Sequence, residues 1–344
     1  MRMLSLAEAI REAIFQEMTR DERVFVMGED VGKFGGPFGV TRGLIEAFGP
    51  ERVRDTPISE AGFFGAGIGA AMTGMRPIVD VHYADFLTCA MDAMVNEAAK
   101  MSLTSAGQWK VPMVIRAPTG STNRAATHGQ SFEAWFMHTP GLKVVCPSTP
   151  YDAKGLMISA IRDNNPVLVF EHRYLYQARS PGGKFRNPWG DLKTAETDVP
   201  EEPYTIPLGK AGVKREGKDV TIVATMLMVH KALAAAEQLA AEGIEVEVVD
   251  PRTLVPLDRE MILASVRKTN KLVVAVEDVQ TCGVSAEIAA IVAEDAFDFL
   301  DAPIRRVAAR DIPIPLAPAC EDYVIPGIDR VAEAVRGVMG KRLR

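Results

Sequence analysis

Short apolar segments alternate with stretches of helical periodicity along most of this chain, and this alternation limits the possible folds more than any other feature. The strand-like segments are residues 24–27, 54–58, 77–81, 113–116, 143–146, 167–170, 220–224, 245–250, 272–276 and 304–308. Helical patterns separate them, among others at residues 61–74, 229–242 and 285–299. Such alternation is typical of a mostly parallel sheet covered by helices on both faces, so we expect an α/β fold.

The chain is predicted to form two domains. Residues 176–209 are rich in proline and glycine and show little periodicity, as expected of a connection between domains. A length of 344 residues also suggests about two domains. We therefore predict one domain at residues 1–178, a linker at 179–208 and a second domain at 209–344, each with a mostly parallel sheet flanked by helices.

Composition and charge exclude several functional classes. The formal net charge is -6, which disfavours sequence-independent binding to nucleic acid or anionic lipid. No segment reaches the ~20 consecutive apolar residues of a membrane-spanning helix. Instead of the apolar core of a signal peptide, the first residues give an amphipathic helix pattern that Ser5 and Glu8 are predicted to cap. The four cysteines are scattered, as expected of free thiols in a reducing compartment, so we expect a cytoplasmic protein.

A glycine-rich run at residues 62–69, followed by Asp80 at the end of a strand, superficially resembles a dinucleotide-binding fingerprint. The strict G-x-G-x-x-G spacing is missing, and the glycines lie within a helical pattern rather than in a strand-to-helix turn. Small residues in this position favour close packing of the helix on its neighbours. A nicotinamide-dependent dehydrogenase is thus one alternative for the function.

Ser59 and Glu60 begin the same helical pattern and have two interpretations. In the first, Ser59 caps the helix and the helix dipole favours the glutamate. In the second, Glu60 is held away from water and hydrogen-bonds a nitrogen of a ligand, with a perturbed pKa. Spacing alone does not distinguish the two.

The five histidines form no metal-binding array, and neither a nucleophile-elbow motif nor a phosphate-binding loop of the G-x-x-x-x-G-K-[ST] type occurs. His128 follows the small, turn-prone residues 120–127. A loop of this kind is suited to an active-site histidine, although a single histidine there is more often structural or merely exposed.

Several motifs, spread in order over nearly the whole chain, resemble the beta subunit of the decarboxylating component of 2-oxo acid dehydrogenase complexes. They are GEDVG at residues 28–32, DTPISEAGF at 55–63, PGLKVV at 140–145, YDAKGL at 151–156, IRDNNPV at 161–167, PLGKA at 207–211 and DPRTLVPLD at 250–258. The resemblance implies a transketolase-like architecture, with a pyrimidine-binding domain followed by a transketolase C-terminal domain. It also implies an α2β2 heterotetramer that binds thiamin diphosphate between subunits. The alpha subunit's Gly-Asp-Gly motif would hold the diphosphate and magnesium, and this sequence lacks that motif.

The same resemblance assigns roles to particular residues. Glu60 is expected to hydrogen-bond the ring nitrogen of the aminopyrimidine and to favour its imino tautomer, and such proton relay is worth ~10²–10⁴ in rate. The backbone carbonyl of Ile58 is expected to accept from the exocyclic amine, and Phe86 to stack on the ring. His82 lies where the human-type pyruvate enzymes carry methionine, and it is expected to contact the cofactor.

Two further sites follow from the resemblance. His128 matches a histidine at the mouth of the active site that serves the intermediate or the lipoyl group, although its neighbours here differ from the usual Gln-His-Ser-Gln. Backbone oxygens near Ala160, Asp163 and Asn165 match a potassium site found in some members.

The resulting hypothesis is a thiamin-diphosphate-dependent oxidoreductase subunit that decarboxylates a 2-oxo acid, most simply pyruvate, and passes the acyl group to a lipoyl domain. Its partners would be an alpha subunit and a dihydrolipoyl acyltransferase core. Acetoin and branched-chain 2-oxo acids are alternative substrates, because much of the pocket would belong to the alpha subunit. A non-catalytic scaffold chain is the alternative from another class.

Overall fold

The computed structural model describes residues 2–177 and 197–340, so most of the predicted linker lies outside the described residues. The chain divides into two compact units. The first consists of residues 1–119 and 135–208, and the second of residues 120–134 and 209–344. The short segment Gly120–Ala134, which contains His128, therefore belongs to the second unit. The domain limits 1–178, 179–208 and 209–344 stay a prediction.

Among its described residues, the first unit contains six strands and several helices. The strands are β1 (Val24–Gly28), β2 (Val53–Asp55), β3 (Arg76–Asp80), β4 (Val114–Thr119), β5 (Lys143–Val145) and β6 (Val167–His172). The α-helices up to residue 177 are α1 (Leu6–Arg20), α2 (Leu44–Phe48), α3 (Glu60–Met72), α4 (Met101–Thr104), α5 (Glu133–Met137) and α6 (Pro150–Arg162). Two 3₁₀ helices, Ala84–Ala90 and Arg173–Gln177, and a π-helix, Ala93–Ala98, complete the set.

These strands are all parallel and lie in the order β5-β6-β4-β3-β1-β2. The register places Gly28 of β1 beside Asp55 of β2 and Asp80 of β3, so the carboxyl ends of these three strands are level. Every residue of β1 is buried, as expected of a parallel strand covered on both faces. The capping box predicted for α1 is present: Ser5 Oγ accepts from the Glu8 backbone N–H at 3.2 Å, and the Ser5 N–H donates to Glu8 Oε2 at 2.7 Å.

The second unit contains a five-stranded sheet in the order β12-β11-β8-β9-β7. The strands of this part of the chain are β7 (Gly212–Arg215), β8 (Val220–Ala224), β9 (Val246–Asp250), β10 (Thr253–Val255), β11 (Leu272–Val279) and β12 (Arg305–Ala309). Its helices are α7 (Leu227–Ala240), α8 (Arg259–Thr269), α9 (Val284–Asp295), α10 (Pro318–Val324) and α11 (Ile328–Met339), with a 3₁₀ helix at Phe297–Phe299. Within this five-stranded sheet β7 runs antiparallel to β9, and the other neighbouring strands are parallel. Apolar residues of the sheet, α7 and α11 form one buried core.

The predicted fold class, two α/β units with mostly parallel sheets flanked by helices, is confirmed. Across residues 2–177 and 197–340, no helix combines the length and the apolar character needed to cross a membrane.

Candidate active site

The candidate site of the first unit lies where β1, β2 and β3 end. Ligands of open parallel sheets bind outside the carboxyl ends of the strands. Here the residues that follow those ends are Glu29 after β1, Glu60 after β2 and His82 after β3. Gly28 permits this close arrangement: its φ is +155°, and a Cβ on it would lie 2.3 Å from the carbonyl oxygen of Asp80. Two carboxylates and an imidazole therefore follow the carboxyl ends of three neighbouring strands.

Glu60 is the first residue of α3 and is half-buried. Ser59 occupies the N-cap position of α3, as the first of the two interpretations expects, but its side chain makes no capping hydrogen bond. The amino end of α3 favours a negative charge at Glu60 through the helix dipole. The charge of Glu60 also contributes to raising the pKa of Glu29.

Glu29 and His82 are paired. The Nε2 atom of His82 lies 2.9 Å from the backbone oxygen of Glu29, and Nδ1 lies 3.6 Å from Glu29 Oε2. Glu29 is buried, and its Oε1 atom has no hydrogen-bond partner among the described residues. Burial raises the pKa of Glu29; the charge of His82 opposes this shift and that of Glu60 adds to it. No role for Glu29 was predicted, although an acidic residue directly after a buried parallel strand is a usable signal.

An aromatic cluster lies on the same side of the sheet. The rings of Phe86 and Tyr83 meet edge to face with centroids 5.8 Å apart, and Tyr83 has the same relation to Phe38. The guanidinium of Arg173 lies 4.9 Å from the Tyr83 ring centroid. Phe86 is half-buried, whereas Ile58 is 84 % exposed. The contact with Tyr83 holds the Phe86 ring close to the carboxyl end of β3, and the stacking of Phe86 on the pyrimidine stays a prediction.

A buried ionic network supports the end of β3. Arg116 is 1 % exposed and donates to both oxygens of Glu171, at 2.9 and 2.6 Å, and to Asp80. The hydroxyl of Tyr176 donates to Glu171 at 2.5 Å. Burial raises the pKa of Asp80 to about 6, and the charge of Arg116 opposes that shift. The network fixes the strand that leads into His82.

The buried state of Asp80 bears on the dinucleotide interpretation. A ribose-binding carboxylate must be accessible to the ligand, whereas Asp80 is paired with Arg116 inside the unit. The glycines of residues 62–69 lie within α3, not in a turn that leads into a helix. A Cβ on Gly67 would lie 2.9 Å from Val79 Cγ2, which fits the predicted close packing, while Gly65 and Gly69 have open space around them. Neither feature of a dinucleotide site is present at these residues.

His128 belongs to the second unit, on the segment Gly120–Ala134. It is half-buried, and Thr127 Oγ1 lies 3.0 Å from its Nδ1 atom. The structure thus pairs His82 with Glu29 at the carboxyl ends of β1 and β3. Ile58 and Glu60 follow the end of β2, Phe86 follows the end of β3, and His128 lies on a segment of the second unit.

The predicted potassium site lies at the carboxyl end of α6. The N–H of Asp163 donates to the carbonyl oxygen of Ala160 at 3.2 Å, and the Asp163 side chain accepts from the backbone N–H of Asn165 at 2.8 Å. The guanidinium of Arg76 donates to the Asp163 carbonyl oxygen at 2.8 Å. The positive charge of Arg76 already lies at the Asp163 carbonyl oxygen, and its repulsion disfavours a second cation at the same oxygen. Potassium binding stays a prediction.

Comparisons with known proteins agree with the fold. Residues 2–179 match the family model of the transketolase pyrimidine binding domain, and residues 209–331 match that of the transketolase C-terminal domain. The solved structure of a split-gene transketolase, described as an inactive beta4 tetramer, superposes with a TM-score of 0.77 over 99% of both chains at 24% identity. This likeness supports the fold alone.

Three curated relatives are similar over their whole length. The chain is 47% identical to the 2-oxoisovalerate dehydrogenase subunit beta of Bacillus subtilis, with 98% of each chain covered. It is 46% identical to the pyruvate dehydrogenase E1 component subunit beta of Rickettsia felis, covering 97% of this chain and 98% of that one. It is 43% identical to the subunit beta of an acetoin:2,6-dichlorophenolindophenol oxidoreductase of Bacillus subtilis, covering 99% and 98%.

Proposed function

Since this chain belongs to the transketolase-like family of 2-oxo acid dehydrogenase beta subunits, we propose that it is the beta subunit of a thiamin-diphosphate-dependent enzyme. The enzyme decarboxylates a 2-oxo acid and transfers the acyl group to a lipoyl domain. The observation that carries this proposal is the position of Glu60, the first residue of α3, beyond the carboxyl end of β2.

The residues of the first unit fit the pyrimidine end of the cofactor. Thiamin diphosphate supplies the electron sink for decarboxylation when it is bound. Glu60 hydrogen-bonds a ring nitrogen and shares a proton with it, as a general acid–base group does. Phe86 presents a ring face, and Ile58 its backbone oxygen. Glu29 is buried, and its Oε1 atom has no hydrogen-bond partner among the described residues. The charges of Glu29 and Glu60 interact, so the protonation state of Glu29 affects that of Glu60.

Other components come from partner chains. An alpha subunit supplies the groups that hold the diphosphate and magnesium, and two copies of each subunit form an α2β2 heterotetramer. A dihydrolipoyl acyltransferase core and its lipoyl domain receive the acyl group, in which step His128 takes part. We place this assembly in the cytoplasm.

Pyruvate is the proposed substrate, with branched-chain 2-oxo acids and acetoin as alternatives, since relatives of all three kinds are 43–47% identical. To distinguish the three substrates, the chain is co-expressed with the candidate alpha chain, and ferricyanide reduction is assayed with pyruvate, branched-chain 2-oxo acids and acetoin. The substrate with the highest kcat/KM identifies the enzyme.

A scaffold role gives a different result in the same experiment. An assembled tetramer that binds thiamin diphosphate but reduces no ferricyanide with any of the three substrates would overturn the catalytic proposal. A tetramer that binds no thiamin diphosphate would overturn the cofactor assignment as well.

A further inference from the structure

The segment Gly120–Ala134 is held in the second unit by two carboxylates that bind its backbone. The N–H of Ser121 donates to Glu277 Oε1 at 2.6 Å, and the N–H of Asn123 donates to Glu321 Oε2 at 2.8 Å. Glu277 lies on β11 and Glu321 on α10, so two separate elements hold the start of this segment. Hydrogen bonds from a backbone N–H to an ionised carboxylate are short and about twice as strong as neutral ones.

Both carboxylates are buried and have a cation nearby. Glu277 is 5 % exposed and Glu321 is 3 % exposed. Lys231 of α7 is 1 % exposed, donates from Nζ to the Pro326 carbonyl oxygen at 2.8 Å, and interacts electrostatically with both glutamates. A buried charge is tolerated when it is paired and hydrogen-bonded, so the lysine and the backbone amides together stabilise this acidic pair.

The backbone that the carboxylates hold is bent and tightly packed. Asn123 and Ala125 have positive φ angles of 56° and 67°. A conformation of this kind is unfavourable for alanine and persists only where the surroundings impose it. A Cβ on Gly129 would lie 3.0 Å from the Ala125 carbonyl oxygen and 3.5 Å from Ile314 Cγ2, so the segment folds back against the second unit directly after His128.

We propose that Glu277 and Glu321 are positioning residues for His128, which they hold in place by fixing the backbone of residues 121–123. The inference rests on the role that the proposed function gives to His128. Neither glutamate needs to touch a substrate in this arrangement, because each acts on the segment that carries the histidine. Release of either contact is expected to let the bent backbone relax and to change the direction of the imidazole.

The test compares Glu321→Ala with Glu321→Gln in the assembled holoenzyme. Glutamine keeps an oxygen acceptor for the Asn123 N–H, whereas alanine removes it. Two rates are measured: substrate-dependent ferricyanide reduction, which needs no lipoyl group, and acylation of an isolated lipoyl domain. We expect Glu321→Ala to lower lipoyl acylation about tenfold or more relative to ferricyanide reduction, and Glu321→Gln to lower it less.

A structural readout accompanies the rates. Amide hydrogen exchange of residues 120–134 is expected to accelerate in Glu321→Ala. If Glu321→Ala does not assemble, Glu277→Gln provides the same readouts with a smaller expected change. Unchanged exchange together with an unchanged ratio of rates would overturn the proposal.

The double variant His128→Ala/Glu321→Ala shows whether the glutamate acts through the histidine. We expect it to transfer acyl groups no more slowly than His128→Ala alone, because the effect of a positioning residue disappears with the residue it positions. Losses that multiply in the double variant would overturn the positioning role. Normal acyl transfer by His128→Ala itself would instead remove His128 from the proposed function.

Discussion

The imidazole of His82 lies between the backbone oxygen and the carboxylate of Glu29, at 2.9 Å from the first and 3.6 Å from the second. The two residues follow β1 and β3, which are neighbours in the sheet, so the pairing depends on the register that places Gly28 beside Asp80. The charges of His82 and Glu60 shift the pKa of Glu29 in opposite directions, so the residue type at position 82 affects the charge of Glu29.

Phe86 is predicted to contribute to cofactor affinity. Phe86→Ala removes a ring face, and aromatic contacts of this kind are worth about 0.5–1.5 kcal/mol beyond their buried area. The thiamin diphosphate concentration for half-maximal activity of the assembled enzyme should rise about tenfold. Phe86→Tyr keeps the ring and is expected to change this concentration little. An unchanged value in Phe86→Ala would contradict the stacking role.

Arg116 is predicted to be essential to the stability of the first unit. Arg116→Met leaves Asp80 and Glu171 buried without their cation, a change that costs about 3–5 kcal/mol. Lys143→Met is the control, because it removes a partly exposed pair with Asp163, for which a cost of about 1 kcal/mol or less is expected. Urea unfolding followed by far-ultraviolet circular dichroism measures both. Equal losses in the two variants would contradict the prediction.

Asp278 is predicted to make stability fall as the pH rises. Its side chain accepts from the Val284 N–H at the start of α9, and burial raises its pKa from 3.8 to about 7. Between these two pH values the folded state keeps a proton that the unfolded state has released. The contribution of this proton to the free energy of unfolding is fully present below pH ~4 and is lost as the pH rises through about 7. From pH 5 to 7 the expected loss from this group is about 2 kcal/mol.

The variant Asp278→Asn isolates this effect. Asparagine keeps a side-chain acceptor for the Val284 N–H but does not titrate. Unfolding free energies at pH 5 and pH 7 should differ less in the variant than in the unchanged protein. Equal pH dependence in the two proteins would show that Asp278 is not the titrating group.

The sequence predicted the strands that are buried on both faces, because such strands read as continuous apolar runs. Val220–Ala224 is entirely buried and was predicted with the same limits. Strand β7, Gly212–Arg215, was not predicted, since it is a half-buried edge strand that contains Lys214 and Arg215. Antiparallel edge strands alternate in polarity and give a weaker signal over four residues.

Element ends were predicted less well where a side chain or proline terminates pairing. Residues 54–58 were predicted as a strand, but β2 ends at Asp55. The Asp55 carboxylate accepts from the Gly32 N–H at 2.7 Å, and Pro57 has no N–H to donate to a neighbouring strand. The helix predicted at residues 285–299 ends at Asp295, and a separate 3₁₀ helix follows.

The candidate site depends on contacts between distant parts of the chain, which no local pattern encodes. The family resemblance selected Glu60 and Phe86, but the pairing of Glu29 with His82 follows from strand order and register. The attachment of Ser121 to Glu277 joins residues 156 positions apart. Such pairs require the folded sheet before they can be recognised.

Turnover of Glu60→Gln, assembled with the alpha subunit, tests the central claim most directly. Glutamine preserves size but cannot share a proton with a ring nitrogen as a carboxyl group can. Glu51→Gln, at a side chain that is 90% exposed, is the control and should have normal turnover. We predict that Glu60→Gln assembles and binds thiamin diphosphate but loses ~10²–10⁴ in kcat. Near-normal turnover in Glu60→Gln would contradict the account.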